Sequence, residues 1–331
     1  MSRRRLRPTL VAGLAAGLSA IVWREYLRDI RRARERVSAG SRTVETPQGP
    51  IEYGSAGDGP PVLVAHGGGG GFDQGLEVAD PLVRNGFRVV APSRFGYLGS
   101  PVPDDASPAA QADAYALLLN ALDLPRAAVV GASAGAPSAM QFALRHPDRT
   151  TALVLLVPAA YPSRIDRRPG GAMPSRTTAV TRFLFDVALR SDFLFWIAPK
   201  IARNAMLRTI LGTPPSALRN ASAEERSRIL RVLDQVQPLS LHRLGLLNDA
   251  AIVRSLPRYE LERIAAPTLV LAVEDCLYGT WEGARYSAEH IPGARFVGYQ
   301  DGGHLWAGHQ DEFIVEITGF LRKAAGDASI S

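Results

Sequence analysis

Cysteine is almost absent from this sequence: Cys276 is the only one among 331 residues. An intrachain disulfide is therefore excluded, and so is a metal site built from several cysteines. The sequence also has no His-Glu-x-x-His motif and no cluster of carboxylates and histidines, so it does not favour metal chemistry.

Excess positive charge is confined to the N-terminal segment. The formal net charge is +6, but residues 1–42 contain eleven arginines against three acidic residues, which gives +8 for that segment and −2 for the rest of the chain. The main body therefore lacks the basic surface that nucleic-acid binding requires, and we expect no nucleic-acid partner. The length is sufficient for one catalytic domain plus an insertion.

The N-terminal segment contains a single long apolar run, residues 8–23. A membrane-spanning helix needs roughly 17–25 residues, and the apolar run of a cleaved signal has about 7–15. A good cleavage site is missing, because Leu18 stands where a small residue is needed. We predict that residues 1–40 form a basic and apolar helical segment that associates with a membrane as an anchor, with residues 25–37 as a charged stalk. The alternative is a cytoplasmic protein whose N-terminal helix packs on the body or on a partner.

Short apolar runs rich in β-branched residues recur along the rest of the chain, with helical stretches between them. Continuous runs of this kind are typical of strands buried on both faces of a parallel sheet. The alternation of strands and helices predicts a doubly wound α/β fold. The predicted strands are Val62–Ala65, Val89–Ala91, Ala128–Val130, Leu153–Val157, Leu269–Val273 and Arg295–Tyr299.

The alternation stops in residues 161–257, where no strand is predicted. We interpret this stretch as a helical cap over the sheet, with residues 41–160 and 258–331 forming the α/β core. The cap is rich in aromatic residues, which favours a substrate with an apolar portion; the alternative is that these side chains form the core of the cap and do not line the pocket. These residues are Phe183, Phe185, Phe193, Phe195 and Trp196.

The strongest motif is Gly131-Ala132-Ser133-Ala134-Gly135, which has the form G-x-S-x-G and stands directly between a predicted strand and a predicted helix. A nucleophile elbow needs this context, because a tight turn must project the serine hydroxyl from the carboxyl edge of the sheet. The motif therefore predicts Ser133 as a nucleophile. The alternative is a turn of small residues that only allows a helix to pack closely on the sheet.

A run of five glycines, Gly67–Gly71, follows His66 at the end of another predicted strand. Such a loop can direct backbone N–H groups at an oxyanion, together with the residue after the nucleophile, so Gly68 and Ala134 are the predicted donors. A phosphate-binding loop is the rival. However, G-x-G-x-x-G cannot be aligned to this run, and the sequence has no Gly-Lys-Ser/Thr. We expect His66 to orient the loop.

The nucleophile needs a histidine that reaches it from a loop at the same edge of the sheet. The segment Asp301-Gly302-Gly303-His304 follows the last predicted strand, so His304 is the predicted base. His309, expected at the start of the last helix, is the competitor. The remaining histidines are expected to be surface or packing residues: His146, His242 and His290.

Together these motifs resemble the α/β-hydrolase superfamily in its capped, esterase-like branch, over about residues 43–158 and 266–321. The resemblance implies a serine hydrolase that forms an acyl-enzyme on Ser133, takes a small-molecule acyl substrate and needs no cofactor. Epoxide hydrolases and haloalkane dehalogenases of this fold are excluded, because they need aspartate at the elbow. The segments that carry the resemblance are His66-Gly67, Ala91–Tyr97, the Ser133 elbow, Arg145–Arg149 and Gly303-His304.

One departure concerns the third member of the triad. The resemblance places it after the strand Leu269–Val273 in a pattern G-x-x-D, which here reads Val273-Glu274-Asp275-Cys276. Cys276 therefore occupies the usual position of the carboxylate. We predict that a local shift brings Asp275 onto His304 as the acid. The alternative is a Ser–His dyad with a weakened orienting group, in which Cys276 is a small packing residue.

Two other functions compete with hydrolysis. An acyltransferase would use the same acyl-enzyme with an acceptor other than water. A binding protein on this scaffold would not need the missing acid, but the intact pair of Ser133 and His304 argues against it.

Overall fold

A computed structural model describes the backbone of residues 8–162 and 191–328, and the side chains of residues 16–162 and 191–326. Its strands are β1 (Arg42–Thr46), β2 (Gly49–Ala56), β3 (Pro61–Ala65), β4 (Arg88–Pro92), β5 (Ala127–Ala132), β6 (Thr150–Leu156), β7 (Thr268–Val273) and β8 (Arg295–Tyr299). They form one sheet in the order β1-β2-β4-β3-β5-β6-β7-β8. The pairs from β4 to β8 are parallel, whereas β2 is antiparallel to both β1 and β4.

The described helices alternate with these strands in the core and continue without strands in the cap. They are α1 (Pro8–Ser38), α2 (Phe72–Arg84), α3 (Pro108–Ala121), α4 (Ala136–Arg145), α5 (Asp192–Thr209), α6 (Ala223–Gln235), α7 (Arg243–Arg254), α8 (Trp281–His290) and α9 (Gln310–Ala328). The predicted doubly wound α/β fold is confirmed, and the six predicted strands correspond to β3–β8.

The first two strands were not predicted. Their hairpin lies at the edge of the sheet, and the residues of β1 are exposed or half-buried, so the strand has no continuous apolar run. The hairpin turns at Gly49, whose φ of +103° lies in the region that favours glycine. An edge strand that is solvated on one side needs less apolar sequence than a central parallel strand.

The sheet is buried on both faces. In β3, Leu63 packs into a cluster with residues of α3 and α4, whereas Val62 and Val64 pack into a second cluster with residues of α2 and α9. Successive side chains of a strand point to opposite faces, so this split follows directly from the apolar run. The buried core holds the sheet in place, and loops follow the carboxyl ends of β3, β5, β7 and β8.

The cap has its own apolar core. Phe195 of α5 and Ile229 of α6 are buried in one cluster with Leu305, which belongs to the loop after β8. Phe183 and Phe185 lie outside the described residues. The cap is therefore packed directly on a loop that extends from the carboxyl edge of the sheet.

Helix α1 packs on the cap. The indole Nε1 of Trp196 donates a 3.0 Å hydrogen bond to Asp29, and the ring of Tyr26 lies edge-on to Phe193 with centroids 5.2 Å apart. No helix in residues 16–162 or 191–326 is both long enough and apolar enough to cross a membrane. The charged second half of α1 packs on the body, as the alternative expected, whereas the side chains of residues 1–15, which include half of the predicted apolar anchor, lie outside the described residues.

Arg36 fastens the end of α1 to both the core and the cap. Its Nε donates a 2.9 Å hydrogen bond to Asp73 of α2, and its Nη2 donates to the backbone oxygens of Gln235, at 3.2 Å, and Gln237. The carboxylate of Asp73 is almost fully buried, so Arg36 compensates its charge.

We expect Arg36→Ala to lower the free energy of unfolding by about 2–3 kcal/mol, because hydrogen bonds to charged groups are lost and a buried carboxylate is left without its partner. Urea unfolding measures the change. Arg32→Ala, an exposed position on the same helix, is the matched control and should change stability by less than about 0.5 kcal/mol. Equal effects of the two substitutions would contradict the docking of α1.

Candidate active site

Ser133 lies in a tight turn between β5 and α4. Its φ of +50° falls in the left-handed region, which a side chain other than glycine adopts at a cost of about 1–3 kcal/mol. The flanking glycines make this turn possible. A Cβ on Gly135 would lie 2.3 Å from the backbone oxygen of Ala65, and one on Gly131 would lie 2.6 Å from the Cβ of Ala139. The segment is therefore a strained turn pressed against β3, as the motif predicted.

Ser133 and His304 meet although 171 residues separate them: Nε2 of His304 lies 2.8 Å from Oγ of Ser133. His304 is in the loop after β8 and is 7% exposed. The ring of Tyr278 lies edge-on to the imidazole at 4.8 Å between centroids. These contacts hold the imidazole in position to accept the serine proton.

The other ring nitrogen of His304 faces sulfur. Nδ1 of His304 lies 3.2 Å from Sγ of Cys276, which is buried in the turn after β7. Asp275, the predicted acid, instead accepts a 2.7 Å hydrogen bond at Oδ1 from the N–H of Gly303. The geometry therefore corrects the prediction: β7 ends without the local shift that it required, and the aspartate braces the histidine loop.

The environment of Cys276 favours its ionised form. Burial raises the pKa of the thiol, but the charge of His304 and the hydrogen bond to its ring outweigh burial and lower the pKa to about 7. A thiol with such a pKa is partly thiolate at neutral pH. The position that normally holds a carboxylate is therefore occupied by another group able to carry negative charge.

The glycine-rich loop lies against the nucleophile. A Cβ on Gly67 would lie 3.4 Å from the Cβ of Ser133, and one on Gly68 would lie 4.0 Å from the Cβ of Ala134. Gly68 and Ala134, the predicted oxyanion donors, line the same cavity as Ser133 and His304. The loop therefore lies beside the elbow, at a distance where a Cβ on Gly67 or Gly68 would make an ordinary van der Waals contact with it.

His66 holds this loop in place. Its Nε2 accepts a 3.0 Å hydrogen bond from the backbone N–H of Arg94, so its Nδ1 carries the proton and donates to the oxygen of Gly67 at 2.7 Å. Burial, with the nearby charge of Arg94, lowers the pKa of His66 well below its usual value. The ring is therefore neutral and orients the loop, the role that the sequence suggested.

A buried ion pair connects the cap to the catalytic loops. Arg94 donates from Nη1 and Nη2 to the two carboxylate oxygens of Asp249 in α7, each at 2.7 Å, and Tyr97 donates to the same carboxylate at 2.6 Å. Arg94 also donates to the backbone oxygens of Gly67 and Ala134, each at 3.2 Å. Burial lowers the pKa of Arg94, but the charge of Asp249 outweighs this and raises it. One guanidinium thus joins the cap, the glycine loop and the elbow.

Sequence reasoning missed this network. Arg94 and Tyr97 lie in the segment Ala91–Tyr97, which carried part of the family resemblance, and a charged residue directly after a buried strand is a usable signal. Asp249 gave no such signal, because its partner is 155 residues away in the sequence.

The remaining histidines do not contact Ser133. His309, the competitor for the role of base, pairs with Asp301 at 3.0 Å instead. His146 contacts Asp113, and the ring of His290 stacks on a tyrosine. His242 is fully buried in the cap. The geometry therefore selects His304 among them.

Ser133 and His304 open into a cavity of about 590 Å³ between the core and the cap. Most of its wall is apolar, and the helices α2, α5, α6 and α7 contribute to it together with the loops at the carboxyl edge of the sheet. The apolar side chains include Val78, Phe195, Val232, Val236, Leu246 and Leu256. The charged side chains that reach it are Arg228, Arg243 and Asp249. Such a volume suits a small molecule with a substantial apolar part.

Comparisons with known proteins agree with this architecture. Residues 60–306 match the family described as alpha/beta hydrolase fold. YcgS of Bacillus subtilis, an uncharacterized hydrolase, is 25% identical over 274 residues, which cover 81% of this chain and 93% of that protein. The 2-hydroxy-6-oxo-6-phenylhexa-2,4-dienoate hydrolase of Burkholderia cepacia is 34% identical over 113 residues, 33% of this chain and 40% of that protein. A thermophilic esterase from Thermogutta terrifontis has a TM-score of 0.61 at 25% identity, over 86% of this chain and 99% of that chain.

We expect Asp249→Ala to lower the free energy of unfolding by about 3–5 kcal/mol, because it leaves the guanidinium of Arg94 buried without its counter-charge. Thermal and urea unfolding report the loss. The double variant Arg94→Met/Asp249→Leu, which removes both charges, should recover most of it. If Asp249→Ala is as stable as the parent protein, the carboxylate does not compensate Arg94.

Proposed function

This chain belongs to the alpha/beta-hydrolase family, and from its site we propose that it is a serine hydrolase that cleaves a carboxylic ester or a related acyl bond through an acyl-enzyme on Ser133. The observation that carries the proposal is the 2.8 Å contact between Oγ of Ser133 and Nε2 of His304, made at a strained elbow inside an apolar cavity.

Acylation begins at the serine hydroxyl. Oγ of Ser133 attacks the carbonyl carbon of the substrate while its proton passes to Nε2 of His304. The backbone N–H groups of Gly68 and Ala134 stabilise the negative charge on the carbonyl oxygen. The tetrahedral intermediate collapses and the bond to the leaving group breaks. His304 gives its proton to the leaving group, which departs as an alcohol.

Deacylation repeats these steps with water. His304 takes a proton from water, the resulting hydroxide attacks the acyl carbon, and the bond to Oγ breaks as Ser133 regains the proton. The product is a carboxylic acid. A C–O bond is proposed as the target because the structural similarity to the esterase extends over 86% of this chain.

Cys276 takes the place of the triad acid in this mechanism. Its sulfur accepts the N–H of Nδ1 on His304, which fixes the tautomer and leaves Nε2 free to accept the serine proton. The thiolate form also stabilises the imidazolium that forms during attack. Cys276 is a positioning residue, since it acts only through His304, and Asp275 supports both by holding Gly303.

We expect Ser133→Ala to lower kcat for 4-nitrophenyl butyrate by about 10⁴-fold or more, because the nucleophile is lost. The same variant should lose covalent labelling by a fluorophosphonate probe. Circular dichroism serves as the control for folding. Labelling that persists in Ser133→Ala would place the reactive serine elsewhere.

The pH profile tests the role of Cys276. A carboxylate is ionised throughout the range from pH 6 to 8, whereas the thiol is ionised mainly above its pKa of about 7. We therefore expect Cys276→Asp to raise kcat/KM by about tenfold at pH 6 and by less at pH 8. A gain of this size is possible because loss of the triad acid can lower turnover by up to about 10⁴-fold. Cys276→Ala should lower kcat/KM at both pH values.

A purely structural role for Cys276 predicts another result. In that case Cys276→Asp would weaken activity by the same factor at both pH values, and Cys276→Ala, the smaller change, would be better tolerated. Asp275→Asn is the matched comparison: we expect it to lower activity without changing the shape of the pH profile, because it acts on the histidine loop and not on the charge beside Nδ1.

A further inference from the structure

One partly buried guanidinium in the substrate cavity, that of Arg228, forms no ion pair with the acidic side chains that the structure describes. Arg228 lies in α6 of the cap and lines the cavity together with Ser133 and His304. Its Nη2 donates a 2.7 Å hydrogen bond to the backbone oxygen of Leu305, the residue that follows the catalytic histidine. The guanidinium is thereby held beside the loop that carries His304.

The rest of the guanidinium has unused hydrogen-bonding capacity. Nε of Arg228 is buried without a partner, and Nη1 makes no hydrogen bond within the described side chains. The group lies over the ring of Trp306, with Cζ 5.1 Å from the ring centroid, which fixes its plane. Nε is too buried to meet a ligand in the cavity, so Nη1 is the part of the guanidinium whose donors favour a ligand that supplies an acceptor.

The neighbouring carboxylate of Glu225 does not accept a hydrogen bond from Arg228. Glu225, one turn earlier in α6, uses its carboxylate to accept hydrogen bonds from the backbone of Ser222, Gly308 and Gln310. Burial lowers the pKa of Arg228 to about 10, although the charge of Glu225 acts in the opposite direction. The guanidinium remains protonated at neutral pH and forms no ion pair with the described acidic side chains.

Three other arginines differ from Arg228 in what surrounds their charge. Arg94 is buried against a carboxylate that it meets with two hydrogen bonds. Arg231, three residues from Arg228 on the same helix, forms an ion pair with Glu77 at 2.7 Å and is absent from the cavity wall. Arg243 also reaches the cavity, but it is exposed and therefore hydrated.

We propose that Arg228 binds an anionic group of the substrate, so that the preferred substrates are esters, or related acyl compounds, whose apolar part carries a carboxylate. The proposal rests on the serine hydrolase function proposed above. A carboxylate fits because a planar guanidinium offers it two parallel N–H donors, and because a single guanidinium balances one negative charge.

The test compares matched substrates. Mono-4-nitrophenyl glutarate carries a terminal carboxylate, and 4-nitrophenyl 5-methylhexanoate replaces that carboxylate with an isopropyl group of similar shape. Longer monoesters of dicarboxylic acids extend the series. The measured quantity is the ratio of kcat/KM for the anionic ester to kcat/KM for its neutral counterpart.

We expect Arg228→Gln to lower this ratio by about 10-fold to 100-fold, mainly through a higher KM for the anionic ester, because a charge-assisted hydrogen bond is lost. Arg228→Lys should give an intermediate ratio. The matched control is Arg231→Gln, which removes the same charge from the same helix outside the cavity and should leave the ratio unchanged. An equal change for both esters in Arg228→Gln would show that Arg228 only packs, and would overturn the proposal.

Binding without turnover separates the two proposals. In the Ser133→Ala background, isothermal titration calorimetry with monobutyl glutarate should show a dissociation constant that Arg228→Gln raises by about tenfold or more. If no ester is hydrolysed but this difference persists, the hydrolase proposal fails and the anion subsite stands. If esters are hydrolysed but glutarate binding does not depend on Arg228, only the subsite is wrong.

Discussion

The positive φ of Ser133 is the constraint on which the site depends, and close contact between α4 and the sheet maintains it. Gly131 and Gly135 bring the helix so near β3 that neither position has room for a Cβ. A strained turn persists only where the surrounding structure holds it in that conformation. Here the parallel strands β3 and β5 provide this surrounding structure. Any change that moves α4 away from the sheet would relax the turn and withdraw Oγ from His304.

The core of the fold could be predicted because its sequence signals are local. Buried parallel strands have apolar runs, and the elbow needs small residues at fixed positions, so both are visible without any knowledge of tertiary contacts. The edge strand β1 is polar, and its place in the sheet depends on pairing with β2. A pairing of that kind leaves no periodic apolar pattern in a single sequence.

The residues of the site also fall into those that local sequence signals predict and those that depend on tertiary contacts. Ser133 and His304 were predicted from motifs that follow strands, and the structure brings them together. The third position was predicted wrongly because the choice between Asp275 and Cys276 depends on which side chain the turn after β7 directs at Nδ1. Asp249 and Arg228 lie in a cap whose described residues form no strand that would fix their place, so their contacts with the catalytic loops appear only in three dimensions.

The ion pair of Arg94 and Asp249 limits how the cavity can admit a substrate. Its two halves belong to the core and to α7, and both are buried. If the cap swung outward as a rigid lid, it would separate these charges at a cost comparable to much of the stability of a domain. The pair therefore opposes any movement of the cap that would separate α7 from the glycine loop.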